Sequence, residues 1–221
     1  MAQELKSINL VAPAFKGVNT EDSPLAQDPS FAEIADNAVI DKRGRIAARK
    51  GHTVVTTNKT VLGTDSLYSI KEYRDDAGNT KIFSVGNNKI MSGTTTLADE
   101  TPGSYTISAN DWKIVNFNNH AYFFQRGQEP LIYTDESGSG VLEKFSDHSH
   151  ATGTPPQANE ALAAFGRVWA ADVTGNKHTV YWSDLLNGHA WTGGSTGSLD
   201  LTTVFPEGFD EIVALESLTT F

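Results

Sequence analysis

The chain has no cysteine among its 221 residues. That excludes disulfide staples, thiolate metal sites and cysteine nucleophiles, and it leaves the redox compartment open. Methionine is scarce, at 2 residues. No apolar run approaches the ~20 residues that a membrane-spanning helix needs. The N-terminus, Met1-Ala2-Gln3-Glu4-Leu5-Lys6, lacks a basic segment followed by an apolar core, so no signal peptide is visible. These absences predict a soluble protein made in a cytoplasm, with no membrane insertion. Positive charge is also in deficit. Lys and Arg total 17 against 27 Asp and Glu, a net charge of -10. Such a balance disfavours non-specific binding to DNA or anionic lipid, without excluding a protein that lines a DNA passage and does not grip it. P-loop, dinucleotide-binding and His-Glu-x-x-His patterns are all missing. No enzyme and no cofactor are expected.

What is present points to β-structure. Hydrophobic residues make up 38% and charged residues 20%, which suits a folded chain. Glycine is plentiful, at 19, and Ser and Thr are common, as tight turns between many short strands require. From about residue 62, strand-like runs recur with turn signals between them. Ser66–Ile70 and Lys81–Val85 flank the polar turn Asp75-Asp76-Ala77-Gly78-Asn79, and Gly86-Asn87-Asn88 leads into Lys89-Ile90-Met91. Trp112–Phe117 meets Asn118-Asn119 and turns into His120–Phe124, followed by Leu131-Ile132-Tyr133. Ala161–Phe165, Val168–Ala171 and Thr179–Ser183 repeat the texture, and Glu211–Leu215 starts it again. The anchors Leu67, Ile114, Leu162 and Ile212 recur roughly every 50 residues, near the length of one four-stranded propeller blade. The predicted fold is mainly β: an incomplete propeller-like meander over residues 62–221, cut at Phe221 soon after a strand begins, as a fragment would be.

Residues 1–61 differ in texture. An extended arm over residues 1–27 precedes Asp28-Pro29, which predicts a helix start with an Asp cap and Pro in the first turn. Phe31, Ile34, Ala35 and Ala38 then form one apolar stripe at helical spacing. The helix would be about two turns long, too short to persist without packing. Val39-Ile40-Asp41 and Ile46-Ala47-Ala48 predict a hairpin around Lys42-Arg43-Gly44, with Gly44 left-handed. A third strand is expected at Thr53-Val54-Val55-Thr56. Lys42, Arg43, Arg45, Arg49 and Lys50 form the one dense basic cluster. It suits docking to an acidic partner better than nucleic acid, which asks for a broader basic face. Otherwise it is a solvated hairpin tip.

Other motifs weaken on inspection. Gly193-Gly194-Ser195-Thr196-Gly197 matches the nucleophile elbow, but strand-like sequence follows and no His lies beyond His189, so a flexible loop is expected. Asp147-His148-Ser149-His150 could offer two imidazoles to a metal if extended, but no third ligand is apparent. The aromatics around Tyr181-Trp182-Ser183-Asp184, Gly188 and Trp191 loosely resemble Asp-box turns without matching their spacing. Packing between blades is the simpler role for them. Asn58-Lys59-Thr60 fits the glycosylation pattern incidentally.

One segment carries a family likeness. Phe15-Lys16-Gly17-Val18-Asn19-Thr20, Ser23-Pro24, Ala35-Asp36-Asn37-Ala38-Val39, then Asp41, Gly44, Arg49 and Gly51 resemble the N-terminus of the tail nozzle proteins of short-tailed bacteriophages, the tail tubular protein B family. Tyr181-Trp182-Ser183-Asp184 with Gly188 and Trp191 is similar to their blade segments. The likeness is a texture of many positions. It covers the first ~50 residues best, and family members are several times longer, so the chain would correspond to their N-terminal portion. The resemblance implies a structural subunit of the virion tail, assembled in the host cytoplasm. It would form a homo-oligomeric ring, typically a hexamer, below the portal and adaptor proteins. Tail fibres are possible partners, and DNA would pass through without sequence-specific binding. Phe15, Phe31, Ile34, Lys42, Arg43, Arg45, Arg49 and Lys50 are the candidate interface residues, in an N-terminal unit read as the assembly element. The alternative from another class is a carbohydrate-binding or glycan-degrading propeller.

Overall fold

The computed structural model describes residues 16–23, 25–28, 30–40, 46–135, 140–204 and 211–218. Phe15, Pro24, Pro29, Lys42, Arg43, Gly44, Arg45 and Phe221 lie outside the described residues. The chain divides into two compact units, Met1–Val54 and Val55–Phe221.

In the first unit, β1 (Gly17–Val18) pairs in parallel with β2 (Phe31–Ala32). The amide of Lys16 donates to the Ser30 carbonyl, and that of Asn19 to the Ala32 carbonyl. The helix expected from Asp28 is not formed. Asp28 does use its capping chemistry, but in a turn: its carboxylate accepts from the Ser30 amide at 2.9 Å and the Ser30 hydroxyl at 2.6 Å. A two-turn helix has little stability of its own, and the strand pairing satisfies the same backbone groups. β3 (Ala38–Ile40) and β4 (Ile46–Ala48) form the expected antiparallel hairpin. The strand expected at residues 53–56 is absent. Val54 and Val55 are 71% and 67% exposed and join no ladder.

The second unit is mainly β and propeller-like. Its described residues form three four-stranded antiparallel meanders in chain order. The first blade is β5 (Ser69–Arg74), β6 (Thr80–Gly86), β7 (Lys89–Ser92) and β8 (Ala98–Asp99). The second is β9 (Lys113–Phe117), β10 (His120–Phe124), β11 (Leu131–Thr134) and β12 (Val141–Lys144). The third is β13 (Ala158–Ala164), β14 (Arg167–Val173), β15 (Thr179–Trp182) and β16 (Gly197–Asp200). Two-residue turns with positive φ join hairpins in each blade, at Asn87-Asn88, Asn118-Asn119 and Phe165-Gly166, the geometry that matches strand twist. Of the expected anchors, Ile114 and Leu162 sit in the opening strands of blades two and three, and Leu67 precedes β5. Ile212 begins no strand. Residues 211–218 run without a ladder, and the Ile212 amide donates to the Lys177 carbonyl.

Blade two is buried on both faces. Strand residues alternate sides, and Ile114, Ala121, Phe123, Leu131 and Tyr133 share one cluster with Tyr73, Phe83, Val85 and Ile90 of blade one. Val115, Tyr122, Phe124 and Ile132 point the other way, into a cluster with Ala158, Ala161, Val168 and Ala170 of blade three. Phe83 meets Phe123 edge-on at 5.1 Å and Tyr133 at 4.8 Å. All five residues of β10 are therefore buried. Two-faced burial makes a specific prediction. In a half-buried strand, neighbouring positions tolerate truncation very differently. Here Phe123→Ala and Phe124→Ala should each destabilise the fold by about 3–5 kcal/mol, measured by urea unfolding.

Candidate functional site

The structure distributes the predicted interface residues unevenly. Phe31 is half-buried in β2, with the Lys16 ammonium 5.7 Å from its ring. Ile34 is 73% exposed, and Arg49 and Lys50 are exposed after β4. Phe15, Lys42, Arg43 and Arg45 lie outside the described residues. Val18, Leu25, Val39 and Ile46 are exposed as well, and Ser30 is the one buried residue among those described in this unit.

A second constellation was only half visible in the sequence. His120, His148 and His189 converge where blade two meets blade three. Each offers a ring nitrogen, and these atoms lie within 4.8 Å of one another. His120 opens β10 on the face of Tyr122 and Phe124, the face that packs on blade three. Its Nδ1 lies 2.5 Å from the Asn118 carbonyl. A carbonyl only accepts, so Nδ1 carries the proton in that contact. His148 follows a 3-10 turn, Phe145–Asp147, that ends blade two. Its Nδ1 lies 2.8 Å from a carboxylate oxygen of Glu143 in β12. Its Nε2 is buried and has no hydrogen-bond partner. A buried polar atom left so costs about 1–3 kcal/mol.

His189 comes from the loop between β15 and β16. The Thr152 amide donates to the His189 carbonyl, and the Trp191 amide to the Thr152 carbonyl. This bridge ties the segment after His148 to the segment bearing His189. Gly188 permits the close approach, since a Cβ there would lie 2.6 Å from the Tyr122 ring. The Tyr122 hydroxyl is 3.5 Å from His189 Nδ1. Ring centroids separate His120 from His189 by 5.2 Å and His148 from His189 by 5.3 Å. His150 is exposed with its ring 5.9 Å from that of His148, and the two imidazoles that join His148 are His120 of β10 and His189 of a distant loop. The alternation of His120 with Tyr122 and Phe124 was a usable signal for the first of these. The loop position of His189 carried none.

The same junction holds two ion pairs, Lys113 with Glu160 at 2.9 Å and Arg126 with the buried Asp172. Among the described residues, no helix is long and apolar enough to cross a membrane.

The glycine-rich loop at Gly193–Gly197 is tethered. Asp184 accepts from the Ser195 amide at 2.9 Å and from its hydroxyl at 2.8 Å. Ser195 thus donates to a carboxylate, and Arg167 donates to its hydroxyl at 2.7 Å. Trp182 and Trp191 line a cleft of about 430 Å³ with Tyr181, Pro155 and Pro156. Both indole N–H groups are used internally, donating to the carbonyls of Ser195 and Gly188. Trp191 also packs edge-on against Phe124 at 6.2 Å. No carboxylate lines the cleft among the described residues, and a pair of them is what most glycoside hydrolysis requires.

The fold and the junction define a propeller-like β protein with histidines gathered between two blades. No protein-family model matches the chain, and no curated protein matches it.

Two carboxylates register these local networks. The hydrogen bonds from the Ser195 backbone and side chain hold Asp184 below the usual carboxylate range, and the hydroxyl and amide of Ser30 hold Asp28 at about 2. A lowered folded value means the contribution is complete above the ordinary value of 3.8 and is lost as pH falls through the lowered one. The Asp28 carboxyl resonance should therefore titrate near its lowered value in folded protein and near the ordinary one when unfolded, as NMR can follow. Removing the tether at Asp184→Ala should leave the unfolding transition in place while accelerating limited proteolysis within residues 193–197.

Proposed function

We propose that the chain is a structural subunit of a short-tailed bacteriophage tail, part of the ring through which DNA is ejected. The observation that supports this most directly is the contrast between the two units. Three blades bury their apolar side chains in shared cores. Among its described residues the N-terminal unit buries no apolar side chain, and it exposes Val18, Leu25, Ile34, Val39 and Ile46. Apolar side chains on a unit with so little core of its own are suited to covering by another surface. The occupant proposed here is a neighbouring copy of the same chain in the ring. Arg49 and Lys50 add positive charge to that unit of a protein whose net charge is -10, so an acidic neighbouring surface would complement it. The net charge also suits a channel that repels phosphate and lets DNA slide. The resemblance of residues 15–51 to tail nozzle proteins supports the choice of family.

The proposal is tested by assembly. Mass photometry of the protein at micromolar concentration should show a symmetric oligomer. Deleting residues 1–54 should preserve a cooperative unfolding transition but reduce the protein to monomers. A strictly monomeric intact protein, or unchanged assembly after the deletion, would overturn the assembly role.

A further inference from the structure

We infer that His120, His148 and His189 bind a divalent transition-metal ion of the zinc type, which clamps blade two to blade three. Imidazole nitrogens select zinc, copper, nickel and cobalt over the hard cations magnesium and calcium. The three ligands come from three separate segments of the chain, and their nitrogens lie within 4.8 Å of one another. A tetrahedral zinc ion with bonds of about 2.0–2.1 Å sets its nitrogens ~3.3 Å apart. Side-chain rotations would have to close that difference, and the ring centroids already lie 5.2–6.0 Å apart.

Two features distinguish this cluster from a chance grouping. The first is the orphaned Nε2 of His148. With Nδ1 donating to Glu143 at 2.8 Å, a neutral ring leaves a lone pair on Nε2. That atom is buried and lacks any hydrogen-bond partner, and the His148 side chain is only 7% exposed. A metal ion accepts such a lone pair directly. The second is the support behind the ligands. Metal-binding histidines ordinarily donate their other ring nitrogen to a carboxylate or a backbone carbonyl, which fixes tautomer and orientation. Glu143 plays that part for His148, and the Asn118 carbonyl plays it for His120 at 2.5 Å. Three imidazoles leave a fourth position for water or another exchangeable ligand.

The clamp joins the strand face of blade two, the segment leaving it and a loop of blade three. Binding should therefore stabilise the native protein, since the unfolded chain cannot assemble the site. The test uses the untagged full chain. After chelator treatment and dialysis, Zn²⁺ is titrated against a chromophoric competitor, and thermal unfolding is followed with and without the ion. The expected result is about one equivalent bound, with a raised Tm that chelator reverses. His148→Gln and His189→Gln should each abolish the tight site, whereas His52→Gln in the N-terminal unit should leave it unchanged. Glu143→Gln should weaken binding about 10- to 100-fold while retaining the stoichiometry. Co²⁺ added to the native protein gives a second readout that does not depend on any variant folding, the visible d–d absorption of a low-coordinate nitrogen site. The inference is overturned if the native protein shows neither a saturable site nor a cobalt spectrum. It is equally overturned if folded His148→Gln and His189→Gln proteins bind as the native one does.

Discussion

The two-faced burial of blade two is the constraint on which the rest of the second unit depends. A sheet with one wet face can adjust a side chain without disturbing its neighbours. Blade two has no such freedom, because Phe123 belongs to the core shared with blade one and Phe124 to the core shared with blade three. A slip of one residue in β10 would exchange the two faces and place each set of side chains against the wrong neighbour. The polar groups at the edges of the blade follow the same logic. Tyr73 of blade one donates to the Asn119 carbonyl at 2.6 Å, and burial pushes its hydroxyl up to about 12. On the opposite side, Lys113 and Arg126 reach the acids Glu160 and Asp172 of blade three.

The histidine junction follows from that arrangement. His120 continues the alternation of Tyr122 and Phe124, so the register that packs the aromatic rings also delivers an imidazole to blade three. The parallel bridge between Thr152 and Ala190 then fixes the other two histidine-bearing segments against each other. The site thus uses geometry that core packing has already imposed, which keeps the ordering of its ligands from depending on a metal alone.

Blade architecture was legible in the sequence because its signals are local. Paired asparagines and glycines set the turns, and runs such as His120–Phe124 and Lys81–Val85 set the strands. The helix expected at Asp28 misled because its capping residue and apolar stripe were real. Asp28 served a turn instead, and Phe31 paired with Gly17, a partner too remote for local propensity to reveal. The strand expected at Val54-Val55 failed for the converse reason, since β-branched residues need a ladder to join. The histidine cluster was legible at His148, where a short motif drew attention, and in retrospect at His120. His189 depends on a loop whose path is set by Gly188 and the bridge to Thr152, neither of which has a sequence period.

The asparagine turn at residues 118 and 119 has a consequence beyond hairpin geometry. Asn119 binds blade one through its carbonyl to Tyr73 and through its side chain to the Asp76 amide at 2.8 Å. Asn118 donates from its side-chain amide to the Leu186 carbonyl of blade three at 2.6 Å and holds His120 through its own carbonyl. Mechanically, this turn is a shackle pulled from both sides. A force that spreads the row of blades apart would load two adjacent peptide units in opposite directions, and the left-handed backbone there (φ 46° and 60°) leaves few other residues able to take their place.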